Sequence, residues 1–168
     1  MLDPDLVLEA VVAAFQSIPP LVAEMLDTAS IPQIYGHNFT YGTDNSLARV
    51  LSAMASPSIL IAYLDLLGGN FDGGACFKHR LEVYIRPKNA AIGLVGDPVT
   101  GTPAASPPHL WWLAVNQPIL SGPQNIRYTD LMNGSLRLVE NPTLRFRQDE
   151  LLQDLFVGSL TFTEVGDL

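Results

Sequence analysis

The sequence predicts an α+β domain: a mixed or antiparallel sheet with a central hairpin, and N-terminal and short helices packed on one face of it. Three observations lead there. Apolar residues near the N-terminus recur at three-and-four spacing, the mark of one helical face. Two β-compatible runs in the middle flank a Gly-rich stretch, the mark of a hairpin. Helical and strand-like segments are grouped rather than alternating, which disfavours a doubly wound sheet.

The elements follow in order. Asp3-Pro4 is a helix start, because Asp3 can cap free backbone N–H groups and Pro4 suits the first helical position. Leu8, Val11, Val12, Phe15 and Ile18 form its apolar stripe, and Pro19-Pro20 is expected to break it before a short piece at Leu21 to Leu26. Ile31 to Tyr41 reads as extended or looped. Asp44 or Asn45 caps a second helix, Ser46 to Met54, stopped by Ser56-Pro57. Ser58 to Leu66 and Ala75 to Arg86 are the hairpin strands, with Gly68 to Gly74 as a flexible turn. In the second strand Phe77, His79, Leu81, Val83 and Ile85 take one face. Lys78, Arg80, Glu82, Tyr84 and Arg86 take the other, which implies a half-buried sheet with one polar face. His109 to Leu120 reads as a short apolar helix. Ser135 to Val139, Thr143 to Arg147 and Leu155 to Glu164 read as further strands.

The length of 168 residues suits one domain, 1–168, with a long Gly/Pro-rich loop at about 88–108. Hydrophobic residues at 48% suffice for a core, and charged residues at 15% suggest surface covered by neighbours. The formal net charge of −8 gives no general attraction to phosphate backbones. The single cysteine, Cys76, rules out an internal disulfide and fits synthesis in a reducing compartment. The acidic start, Met1 to Asp5, is unlike a signal peptide, and no run approaches the roughly 20 apolar residues of a membrane span.

No motif names a chemistry. Cys76 and His79 are two ligands where zinc needs at least three, and the reading favoured for them is a buried thiol and a core-facing imidazole. His37, His79 and His109 are the only candidate general bases. Gly96 to Thr102 has phosphate-loop glycines but no lysine, and Pro98 removes a backbone donor. No catalytic residue, cofactor site or metal site is assigned. Lys78, Arg80 and Arg86 share one strand face, and Arg145 and Arg147 share another. A solvated face is the default for these rows, subunit contact the second reading, nucleic acid the third. Trp111 and Trp112 point about 100° apart on a helix, so one of them is a candidate for an interface, with core or ordinary surface weighed at least as heavily. These seven residues are the candidate subunit-interface or lumen positions.

At the hairpin a family resemblance enters. It rests on the amphipathic first helix, the Ile31 to Tyr35 segment, a short helix, an apolar strand and a Gly-rich turn. The run Lys78-His79-Arg80-Leu81-Glu82-Val83-Tyr84-Ile85-Arg86-Pro87 follows. Leu144 to Glu150 and the strand Gly158 to Glu164 complete it. This order resembles the tail-terminator and head–tail joining (neck) minor structural proteins of long-tailed bacteriophages. The resemblance implies a small fold of helices on a sheet and a homo-oligomeric ring, usually sixfold. Its partners are then the tail-tube protein and a neck or connector protein, with DNA passing through the ring. It implies a location in the virion tail or neck after synthesis in the host cytoplasm, and it carries over no catalytic residues. A head-completion or tail-tube role is the neighbouring alternative, and a small-molecule enzyme or binding domain is the alternative from another class.

Overall fold

The fold was obtained as a computed structural model that describes residues 1–40, 47–71, 74–87, 110–111, 131–132, 134–138, 143–146 and 155–164. The 88–108 loop, His109, Trp112 and Arg147 lie outside the described residues, as do Asp44 to Ser46.

Helix α1, Pro4–Gln16, begins where the sequence places it. The Asp3 carboxylate accepts the Asp5 N–H at 2.9 Å, and Pro4 fills the first turn. Its stripe of Val7, Leu8, Val11 and Phe15 is buried, at about 1.5–3 kcal/mol for each large apolar side chain removed from water. Pro19-Pro20 does not merely break this helix. The pair opens α2, Pro19–Glu24, because proline needs no hydrogen-bond partner for its nitrogen in a first turn. A turn built on Asp27, whose carboxylate accepts from the Ala29 and Ile31 N–H groups, leads onward. Strand β1, Ile34–Asn38, follows.

Helix α3, Leu47–Ser52, then crosses to β2, Ser58–Phe71, which pairs with β1 in parallel. Among the described residues, this βαβ unit alternates helix and strand, contrary to the segregation expected from sequence. β2 pairs antiparallel with β3, Gly74–Arg86. The last strand, β6 (Phe156–Glu164), lies against β3 and carries β4 (Leu136–Leu138) and β5 (Thr143–Phe146) on its far side. The result is a six-stranded mixed sheet ordered β1-β2-β3-β6-β4, with β5 also on β6. It is the α+β fold with a central hairpin that the sequence predicts.

The sheet divides two cores. On one face α1 and α2 pack over Ile59, Ile61, Tyr63, Leu81, Val83, Ile85, Leu160 and Phe162. On the other, Leu51 and Met54 pack with Leu60, Ala62, Tyr84 and Leu155. Not all helices share a face, therefore: α3 covers the side opposite α1. The second face of β3 is accordingly not wholly polar, since Tyr84 is fully buried beneath α3. A crossover between parallel neighbours must run over one face of the sheet, and here it takes the face that α1 leaves open.

Two details of the hairpin bear on function. The Gly68 to Gly74 stretch is mostly strand, with Gly68 opposite Phe77 and Phe71 opposite Gly74. Among the described residues, β1 reaches only as far as Tyr63 and β6 only as far as Lys78. Among the described residues, 68–71 and 74–77 therefore take ladder partners only from each other, a two-stranded ribbon of about 13 Å, while the Thr163 hydroxyl donates to the Phe77 carbonyl at its base. Nearer the sheet, Tyr63 pairs with Leu81 and Asp65 with Arg80, which leaves Leu64 as a one-residue bulge. The extra residue inverts the alternation, so Asp65 emerges beside Arg80 rather than in the α1 core.

Candidate functional site

His79 is the polar centre of the larger core. Its side chain is fully buried, and so is that of Tyr63, the neighbouring strand's contribution to the same face. Tyr63 Oη lies 2.6 Å from His79 Nδ1, and His79 Nε2 lies 2.9 Å from Glu164 Oε1. With its proton on Nε2, the ring donates to Glu164 and accepts from the Tyr63 hydroxyl, so both nitrogens are satisfied. Glu164 also accepts the Leu2 N–H at 2.5 Å, and its second oxygen stands 3.7 Å from the Met1 ammonium. The network thus ties β2, β3 and β6 to the segment that precedes α1.

Burial pushes the Glu164 carboxyl up. The Leu2 N–H, the His79 hydrogen bond and the nearby Met1 ammonium outweigh that and hold it below its ordinary value of 4.5. Chemically the arrangement has the parts of a proton relay. Its imidazole and phenol have no exposed surface, however, so no substrate reaches them and the network acts on stability. Sequence reading placed His79 in the core but singled out neither partner. The signal was the strand phase: Glu164 shares its face with Leu160 and Phe162, and a buried polar group on an apolar face must find a partner.

The expected cationic residues are dispersed. Lys78, Arg80 and Arg86 share one face of β3, as read, but Lys78 and Arg86 stand about 26 Å apart along the strand. Arg80 Nε meets Asp65 Oδ1 at 3.4 Å, and both side chains are exposed. Such a pair contributes about 0–1 kcal/mol. Arg86 is half-buried, and its Nη1 donates to the Met54 carbonyl at 2.5 Å, which secures the chain after α3. Arg145 sits in β5 opposite Val157. Among the described side chains, Lys78, Arg80 and Arg86 thus form no single cluster.

Trp111 is likewise not available to an interface. It is 3% exposed and belongs to the core above β6. A Cβ on Gly158 would lie 2.2 Å from two carbons of its ring, so the glycine in mid-strand is what lets the indole lie flat on β6. The His37 ring lies tilted against that of Phe39, with centroids 4.4 Å apart, and its Nε2 is buried with no hydrogen-bond partner among the described residues. Among those residues no group of three or more His, Cys, Asp or Glu is placed to hold a metal ion, and no helix is long and apolar enough to cross a membrane.

A groove of about 520 Å³ lies between α1 and β1. Leu8 and Val12 lie on its helix side, Gly36 and Asn38 on its strand side, with Asp5 and Glu9 at the rim. Comparison with protein-family models and with curated proteins finds no match to this chain.

Proposed function

We propose that the chain is a virion structural protein of the tail-terminator kind, which forms a ring at the head-proximal end of a tail tube and joins it to the neck. The observation that carries an assembly role is the ribbon of residues 68–71 and 74–77, which runs past every neighbouring strand described. Two strands alone are marginal in water. A subunit that projects such a ribbon gains stability by laying it on another chain. Leu67, at the ribbon's base, is 46% exposed and supplies apolar surface for that contact. A ring needs two different complementary faces on each subunit, and a ribbon reaching onto a neighbour meets that need. The resemblance in element order supplies the specific role.

Native mass spectrometry of the whole chain tests this reading. The expected species is a closed ring, with a hexamer as the leading expectation. Replacing residues 69–76 by an Asn-Gly turn should convert the ring to monomers while leaving the thermal unfolding of the core nearly unchanged. Open tubes of indefinite length would favour the tail-tube alternative. A monomer at every concentration that also fails to cap purified tail tubes would remove the assembly reading.

A further inference from the structure

We propose that the groove between α1 and the outer edge of β1 binds an extended, basic segment of a different protein chain, added to β1 as a further strand. This goes beyond the ring reading and does not depend on it.

The backbone of β1 supplies the first argument. The Gln33 carbonyl accepts from the Ile59 N–H, and the Phe39 N–H donates to the Tyr63 carbonyl. The odd positions therefore turn toward β2. Position 34 turns the other way, and its carbonyl accepts the Gln16 side-chain amide at 2.9 Å. By the two-residue alternation of a strand, the N–H and C=O of Gly36 and Asn38 also point away from β2. Among the described residues β1 pairs with β2 alone. An edge of this kind is a template for another strand unless something blunts it. Among the described residues, the edge is blunted at its Ile34 end, by Gln16.

The second argument is fit. Gly36 allows α1 to sit close, since a Cβ there would meet Val12 Cγ2 at 2.7 Å. The groove follows α1 from Asp5 to Gln16, a rise of about 16 Å. About five residues of extended chain span that length, and β1 itself has five. Leu8 and Val12 would cover one face of the added strand.

Charge selects the occupant. Asp5, which accepts the Asn38 side-chain amide at 2.8 Å, and Glu9 flank the groove; His37 also lines it, and among the lining residues there is no lysine or arginine. The whole chain carries −8, so a second copy is a poor electrostatic match, whereas a segment bearing Lys or Arg is a good one.

The test is titration of isotope-labelled full-length protein with three eight-residue probes, read by amide chemical shifts. The probes are an alternating Thr-Lys peptide, its Thr-Glu counterpart, and the Thr-Lys peptide N-methylated at every residue, which removes the donors from both of its edges. The Thr-Lys peptide should move the Gly36 and Asn38 amides, more strongly at low salt. The N-methylated peptide should fail, because it cannot donate to the edge. Glu9→Lys, at an exposed position, should weaken binding about fivefold without changing the rest of the spectrum. Equal binding of the Thr-Glu peptide, or no shift at Gly36 with any probe, would overturn the proposal. So would Gly36 shifts that depend on protein concentration alone, because the occupant would then be a second copy.

Discussion

Replacing Trp111 by alanine is expected to destabilise the domain by about 3–5 kcal/mol, the range for truncating a large buried aromatic. The indole is 3% exposed and rests directly on the backbone of β6 at Gly158. Its loss leaves a cavity over the middle of the strand that β3, β4 and β5 all use as a partner. Gly158→Ala should fail for the converse reason. The new methyl would lie 2.2 Å from the ring, so the indole must leave its place, at about 1–3 kcal/mol or more. The pair should then be strongly non-additive. With Trp111 already alanine, Gly158→Ala meets little resistance and should even regain about 0.4–1 kcal/mol by restricting the unfolded chain. Urea unfolding of both single variants and the double variant measures this. Simple additivity would mean that the ring does not lie on the glycine.

The second large effect is expected at His79. His79→Leu keeps apolar volume in the core but removes the imidazole partner of the buried Tyr63 hydroxyl and one of the two donors to Glu164 Oε1, which keeps the Leu2 N–H. At about 1–3 kcal/mol for losing the partner of a buried polar group, the loss should be about 1–3 kcal/mol. Tyr63→Phe, which removes only a hydroxyl, should cost about 1 kcal/mol. Glu164→Gln separates charge from shape. The folded carboxyl is held below its ordinary value of 4.5, so it binds a proton less readily than in the unfolded chain. Its contribution is fully present above pH 4.5 and is lost as pH falls through the lowered folded value. The stability gap between wild type and Glu164→Gln should therefore be widest near neutrality and shrink in acid. A gap that stays constant down to pH 3 would show that the carboxylate charge contributes nothing.

Much of the architecture was legible where local chemistry and pattern agree. Asp3-Pro4 with Val11 and Phe15 leaves little choice for the first helix, and the alternation from His79 to Arg86 assigns two faces to one strand. The errors fall where local signals are silent about their surroundings. Gly68-Gly69-Asn70 reads as a turn because glycine is weak in strands. Yet a Cβ at Gly68 would meet the Phe77 ring at 3.3 Å, so a cross-strand aromatic covers the gap. The stripe Leu47, Val50, Leu51 and Met54 is the same whichever face of the sheet it meets, so nothing in it places α3 opposite α1. Pro19-Pro20 marks a boundary without saying on which side the helix lies. The polar network was hidden most deeply, because Tyr63, His79 and Glu164 meet only when three strands align. The groove was invisible for a related reason: it is made by the unpaired side of a backbone, which no residue type announces.

The bulge at Leu64 bears on how this chain can change length. Losing a residue elsewhere in β2 would turn every side chain beyond it to the opposite face and bring charge into the core. At Leu64 the arithmetic reverses, because Tyr63 and Asp65 already oppose consecutive residues, Leu81 and Arg80. Deleting Leu64 would leave an unbroken ladder with Asp65 still beside Arg80 and Leu66 still opposite His79. The cost is confined to the partial burial of one leucine on the α3 side. Position 64 is thus where the hairpin can tolerate a deletion and keep its ribbon aimed as before.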